Sequence, residues 1–171
     1  MAYVDGFVIA VPTANKEKFI EHANLGDTVF KDFGATRIVE SWGDNVPRGH
    51  TTDFHGAVAS TEDESVVFSW IEWPDKPTRD AGMAKLMAPD FKDPRMDPET
   101  NPMPFDGKRM IYGGFQPIVS HGRASDGDYV QGFLIPVPEG RQEDYRKIAD
   151  EAWDMFKGYG ATGVVEAWGD D

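Results

Sequence analysis

Two glutamates and an Arg–Tyr pair are the residues of this chain best suited to chemistry. Glu40 alternates with Ile38 and Trp42, and Glu72 alternates with Phe68 and Trp70, in stretches that read as strands. A carboxylate on an apolar strand face is costly unless it is paired or protonated. Each therefore reads either as a general acid or base with a raised pKa or as a strand-end carboxylate paired with Arg37 or Arg109. If the two strands are neighbours, the two carboxyls are expected in one cavity. Met103 to Phe115 is the best stretch for a site wall. Its Asp106-Gly107 turn holds Lys108 and Arg109 on a rigid element. Arg109 suits a bidentate contact to a carboxylate or enolate oxygen, and Tyr112 suits proton or hydrogen-bond donation. The same stretch also reads as hairpin structure alone, with Gly113-Gly114 accommodating a bulge or a close neighbour.

The expected catalytic set is thus Glu40, Glu72, Arg109 and Tyr112. Asp5, Trp42, Phe68, Trp70 and Lys108 are the expected pocket residues around it. Trp42, Trp70, Trp73 and Phe68 could line an apolar pocket or simply pack a core or an interface. Asp5, early in a strand, reads as a pocket residue or as a plain hydrogen-bonding group. His50, Asp53 and His55 offer three metal-ligand types within six residues, but their spacing matches no strong metal signature and reads as a surface loop. His22 falls on a helix flank. There is no cysteine, which excludes disulfides, thiolate nucleophiles and Cys-ligated metal centres. No phosphate-binding glycine loop, serine elbow or zinc-protease helix motif occurs. The expectation is a small-molecule binder or enzyme with no cofactor and no metal. The alternative is a non-catalytic oligomeric scaffold or stress-related interaction protein.

Elements must position these residues. Tyr3 to Val11 reads as a strand closed by Pro12. Thr13 or Asn15 can cap a helix whose stripe is Phe19, Ala23, Val29 or Phe30, and Phe33, with Gly34 at its C′ position. Thr36 to Trp42 and Val66 to Trp73 read as strands, Lys76 to Met87 as a helix, and Arg109 to Phe115 as the last strand. Asp53 to Ser60 fits a short strand or a turn, and Pro89 to Pro104 an irregular loop. The order βαββαβ predicts an α+β, ferredoxin-like domain over residues 1–119. Both faces of the strands are apolar, so a second sheet is expected over the face away from the helices.

The opening of the chain is written again near its end. Tyr3-Val4-Asp5-Gly6-Phe7-Val8-Ile9-Ala10-Val11-Pro12 returns as Tyr129-Val130-Gln131-Gly132-Phe133-Leu134-Ile135-Pro136-Val137-Pro138, and Val39-Glu40-Ser41-Trp42 returns as Val165-Glu166-Ala167-Trp168. Without a gap, roughly 19 of about 43 positions are identical. Residues 129–171 therefore read as a partial second copy (first strand, helix, second strand) after a linker at 120–128. The stripe Tyr145, Ala149, Ala152, Phe156 and Tyr159 is expected to be buried like its counterpart. A tandem two-unit protein cut short is the expected origin. The covering sheet would then come from a second chain, as a homodimer, or from the second copy, as a pseudo-dimer. The net charge of -13 and pI near 4.6 disfavour nucleic acid and anionic membranes as partners. No secretory signal or membrane span is read, so a cytoplasmic protein is expected.

Tyr3-Val4-Asp5-Gly6-Phe7, Phe33 to Glu40, Val66 to Glu72 and Met103 to Phe115 closely resemble the YbaA-like family of bacterial proteins, and the resemblance covers about residues 1 to 119. It implies a dimeric α/β barrel, related to small monooxygenases, muconolactone isomerase and stress-induced barrel proteins. It implies no activity. Residues 128 to 171 resemble the start of the same domain.

Overall fold

The computed structural model describes residues 2–170. The chain is α+β and divides into two compact units, Met1–Gly114 and Phe115–Asp171. The first unit contains β1 (Tyr3–Pro12), α1 (Lys16–Asp32), β2 (Arg37–Trp42), α2 (Phe54–Ala57), β3 (Glu64–Trp73), α3 (Lys76–Leu86) and the start of β4 (Ile111–Gly122). The second contains the rest of β4, α4 (Gln142–Gly158) and β5 (Gly163–Gly169).

In the first unit the strand order is β2-β3-β1-β4. β1 and β2 both run antiparallel to β3, with Phe7 opposite Ser69 and Glu40 opposite Ser69 on the other side. Side chains alternate across a strand, so this register sorts the sheet into two faces. Tyr3, Asp5, Ile9, Val67, Ile71 and Trp73 share one face with Ile38, Glu40 and Trp42. Phe19, Ala23, Phe30 and Phe33 of α1 and its C-terminal end pack on that face. Val8, Ala10, Val66 and Phe68 lie on the other face, and Phe54 and Val58 cover them. The face expected to take a second sheet is thus capped at one end by α2, in the stretch expected as strand or turn. The reason is local. The Asp53 carboxylate accepts hydrogen bonds from the Gly56 and Gly49 amides and so starts a helical turn there.

The helix ends follow their capping chemistry. Asp75 caps α3 by accepting from Thr78 N at 2.8 Å, and Pro77 sits in the first turn, where its missing N–H costs nothing. Asn15 occupies the N-cap position of α1 without capping it. Its side-chain amide instead donates to Pro104 O at 2.9 Å, tying the proline-rich loop to the helix start. Gly34 ends α1 at φ 108°, a conformation that favours glycine, and Gly160 ends α4 at φ 95°.

The second unit departs from expectation in one element. Tyr129 to Pro138 forms no strand among the described residues, and Tyr129, Phe133, Leu134 and Ile135 are exposed. A strand exists only through its ladder. In the first unit β3 pairs with β1 along its whole length, whereas residues 120–170 contain no counterpart of β3. β5 pairs instead with β4, as His121 opposite Val164. The linker expected at 120–128 also starts later, because β4 runs to Gly122.

Candidate functional site

The site that emerges is a groove of about 380 Å³ between α1 and the edge strand β2, lined by Lys16, Phe19, Ile20, Asp27, Glu40 and Trp42 among others. Helix periodicity builds one wall. Phe19, Ala23 and Asp27 are four apart and fall on one side of α1, with Lys16, Ile20 and Lys31 alongside. Strand alternation builds the other, with Ile38, Glu40 and Trp42 on the helix-facing side of β2.

Two carboxyls in this groove depart from ordinary acidity. Burial pushes Asp27 up to about 6, against the opposing pull of Lys31. Burial also pushes Glu40 up to about 8; the Asp27 charge adds to the rise and the Ser69 hydroxyl opposes it. Ser69 lies across the ladder from Glu40, yet its buried Oγ reaches no hydrogen-bond geometry with a described partner. Glu40 keeps an exposed side as well. Its carboxyl is crowded by protein on one flank and open to an incoming molecule on the other. Close acids with raised and unequal pKa values titrate as a pair and suit proton transfer near neutral pH. Lys16 Nζ stands 5.4 Å from the centre of the Trp42 ring at one end of the groove.

Of the residues expected from sequence, Glu40 and Trp42 line this groove and the other seven lie elsewhere. Glu72 is on a strand adjacent to Glu40's, but the register opposes it to Arg37 and places it on the other face. The shared cavity expected for the two glutamates is therefore not formed. Glu72 accepts from Arg37 at 3.5 Å and from Trp70 Nε1 at 3.1 Å. Phe68 and Trp70 pack against each other on that second face, their ring centres 5.9 Å apart. Arg109 grips Glu64 through two nitrogens at 2.7 and 2.6 Å, and the contact pulls Glu64 down to about 2. Lys108 is exposed on the turn beside it. Tyr112 is exposed and stacks on Phe7, with ring centres 6.1 Å apart. Asp5 is only 3% exposed. It accepts from Trp73 Nε1 at 2.8 Å and pairs with Arg79 at 2.9 Å, binding α3 to the sheet. His50, Asp53 and His55 do not form a metal-ligand cluster among the described residues.

Sequence reasoning missed Lys16 and Asp27. For Asp27 the one signal is an acid interrupting the apolar series Phe19, Ala23 and Phe30. No helix among the described residues is long and apolar enough to cross a membrane.

The sequence profile of DUF1428, a family described as proteins of unknown function, matches residues 2–107 and 128–171. The uncharacterized protein YbaA of Escherichia coli (strain K12) is 55% identical over 119 residues, which span 70% of this chain and 98% of that protein. The uncharacterized protein YbaA of Shigella flexneri matches with the same identity and coverage. The chain belongs to the DUF1428 family.

Proposed function

We propose that the first unit binds and converts a small organic molecule in the α1–β2 groove, using its own acid–base groups. Glu40 would give or take the proton, Asp27 would hold that proton on Glu40 by its charge, and Phe19 and Trp42 would shelter the apolar part of the ligand. The observation that carries this reading is the placement of two crowded carboxyls and an aromatic wall in one solvent-reachable groove.

Glu40 tests it. Carbon-13 NMR of the glutamate carboxyls is expected to show one titration near 8 that disappears in Glu40→Gln. The folded value lies above the ordinary glutamate value of 4.5, so the stability Glu40 contributes is full below about 4.5 and is lost as pH rises through 8. Glu40→Gln should therefore gain on the wild type between those limits, and the gain should grow as pH rises toward 8. A Glu40 that titrates near 4.5 removes the basis of the proposal.

A second reading, an oligomeric scaffold, is favoured by the other sheet face. We infer a ferredoxin-like plan from the strand order β2-β3-β1-β4. A second copy of the chain would cover Val39, Trp70 and Val4, which α2 leaves half-buried, and so complete a dimeric barrel. Light scattering at micromolar concentration would find a dimer that Trp70→Glu converts to monomer. A wild-type monomer at that concentration sinks this second reading.

A further inference from the structure

The polar groups of the groove are unevenly placed, and the placement speaks to the ligand. Lys31 stands beside Asp27, which offsets its charge. Lys16, by contrast, contacts the Trp42 ring but has no carboxylate partner among the described residues. One positive charge is thus left over at the Trp42 end, and a cationic ligand would be repelled there. Trp42 and Glu40 are alternate residues on the same side of β2, so their side chains leave the strand about 7 Å apart. A volume of about 380 Å³ lies at the small end of ligand pockets.

Resting on the acid–base reading above, the geometry points to a small arene carboxylate with a second oxygen at its far end, its carboxylate on Lys16, its ring against Trp42 and Phe19, and the distal oxygen at Glu40. Such a molecule uses the unbalanced cation, the aromatic wall and the proton donor together. A neutral arene leaves Lys16 unused, and an arene without the distal oxygen leaves Glu40 unused.

4-Hydroxybenzoate is a probe of that span. Calorimetric titration of the full chain is expected to show binding that weakens at least tenfold for 4-hydroxybenzyl alcohol, which lacks the anion. Lys16→Met should weaken 4-hydroxybenzoate by the same factor, while Lys16→Arg should restore it. Benzoate, without the distal oxygen, should bind a few-fold more weakly. Equal binding of the acid and the alcohol, unchanged binding by Lys16→Met, or no binding of 4-hydroxybenzoate overturns the assignment. The Glu40 titration, run on the same sample, separates the two readings. Absent binding with Glu40 still titrating near 8 removes the ligand class alone; absent binding with Glu40 near 4.5 removes the acid–base reading with it.

Discussion

The α1–β2 groove and the matching place between α4 and β5 carry a glutamate at the same point of closely similar sequences, yet the two glutamates have different neighbours. Where the first has Phe19, the second has Tyr145, whose hydroxyl donates to Glu166 at 2.5 Å. Burial and the Glu166 carboxylate push that phenol up to about 12. Where the first has Asp27, the second has Trp153, which stacks on His121 with ring centres 5.6 Å apart. His121 Nε2 in turn meets Asp150 at 2.6 Å. The glutamate on the strand is thus not the feature that makes a site. Its neighbours on the helix decide whether it is an acid crowded by a second carboxyl or one that accepts a hydrogen bond from a phenol.

The same contrast runs through the cores. Val29 is fully buried, whereas Met155, at the corresponding place on α4, is 55% exposed. Phe33 packs with the Tyr3, Ile71 and Trp73 cluster, whereas Tyr159 is 89% exposed. The stripe expected to be buried on α4 is buried only at Ala149. An amphipathic helix gains most of its stability from the surface it covers, and here β3 and α3 supply that surface for α1 while residues 115–170 contain no element like them.

The comparison can be broken most forcefully at Asp5. Removing one member of a buried ion pair is strongly destabilising, and Asp5→Ala takes from Arg79 its buried partner and leaves it the more exposed Asp80, so the change should cost about 3 kcal/mol in urea unfolding of the first unit. Gln131→Ala, at the matching exposed position, should change stability by less than about 0.5 kcal/mol. A small loss at Asp5 would mean that Arg79 and Trp73 do not depend on it. Next in size, Val29→Ala should cost about 2 kcal/mol from lost burial and the cavity left behind, and Met155→Ala should be close to neutral. Similar losses at both positions would show that α4 is covered in solution. The smallest effect sharpens the groove contrast itself. Tyr145→Phe removes one hydrogen bond and should cost about 1 kcal/mol. Its ultraviolet titration should show the loss of a phenol ionising near 12. The folded value is raised, so this contribution persists below about 10 and fades as pH rises through 12.

Much of the first unit was legible in the sequence because its signals are local. β-Branched and aromatic runs marked β1 and β3, with Pro12 closing the first, and the stripe Phe19, Ala23 and Phe33 with Gly34 marked α1 and its end. The site was legible in part. Glu40 and Trp42 stood out as a carboxylate and a ring on one strand face. Asp27 did not, since an acid on a helix flank usually faces water, and only the packing of α1 on β2 crowds it. Arg109 looked like an anion-binding group because its chemistry is the same whether the carboxylate belongs to a ligand or to Glu64.

The sequence by itself determined which segments alternate, which turn, and where a helix starts and stops, because those preferences reside within a few residues. It also determined membership of the family. Register and burial were decided by the tertiary structure. The offset that sets Arg37 against Glu72 sends Glu40 and Glu72 to opposite faces, and a single-residue slip would reverse that outcome. Tyr3–Pro12 became a strand while the similar Tyr129–Pro138 did not. Backbone hydrogen bonds between strands need a partner from elsewhere in the chain, and no local pattern can supply one.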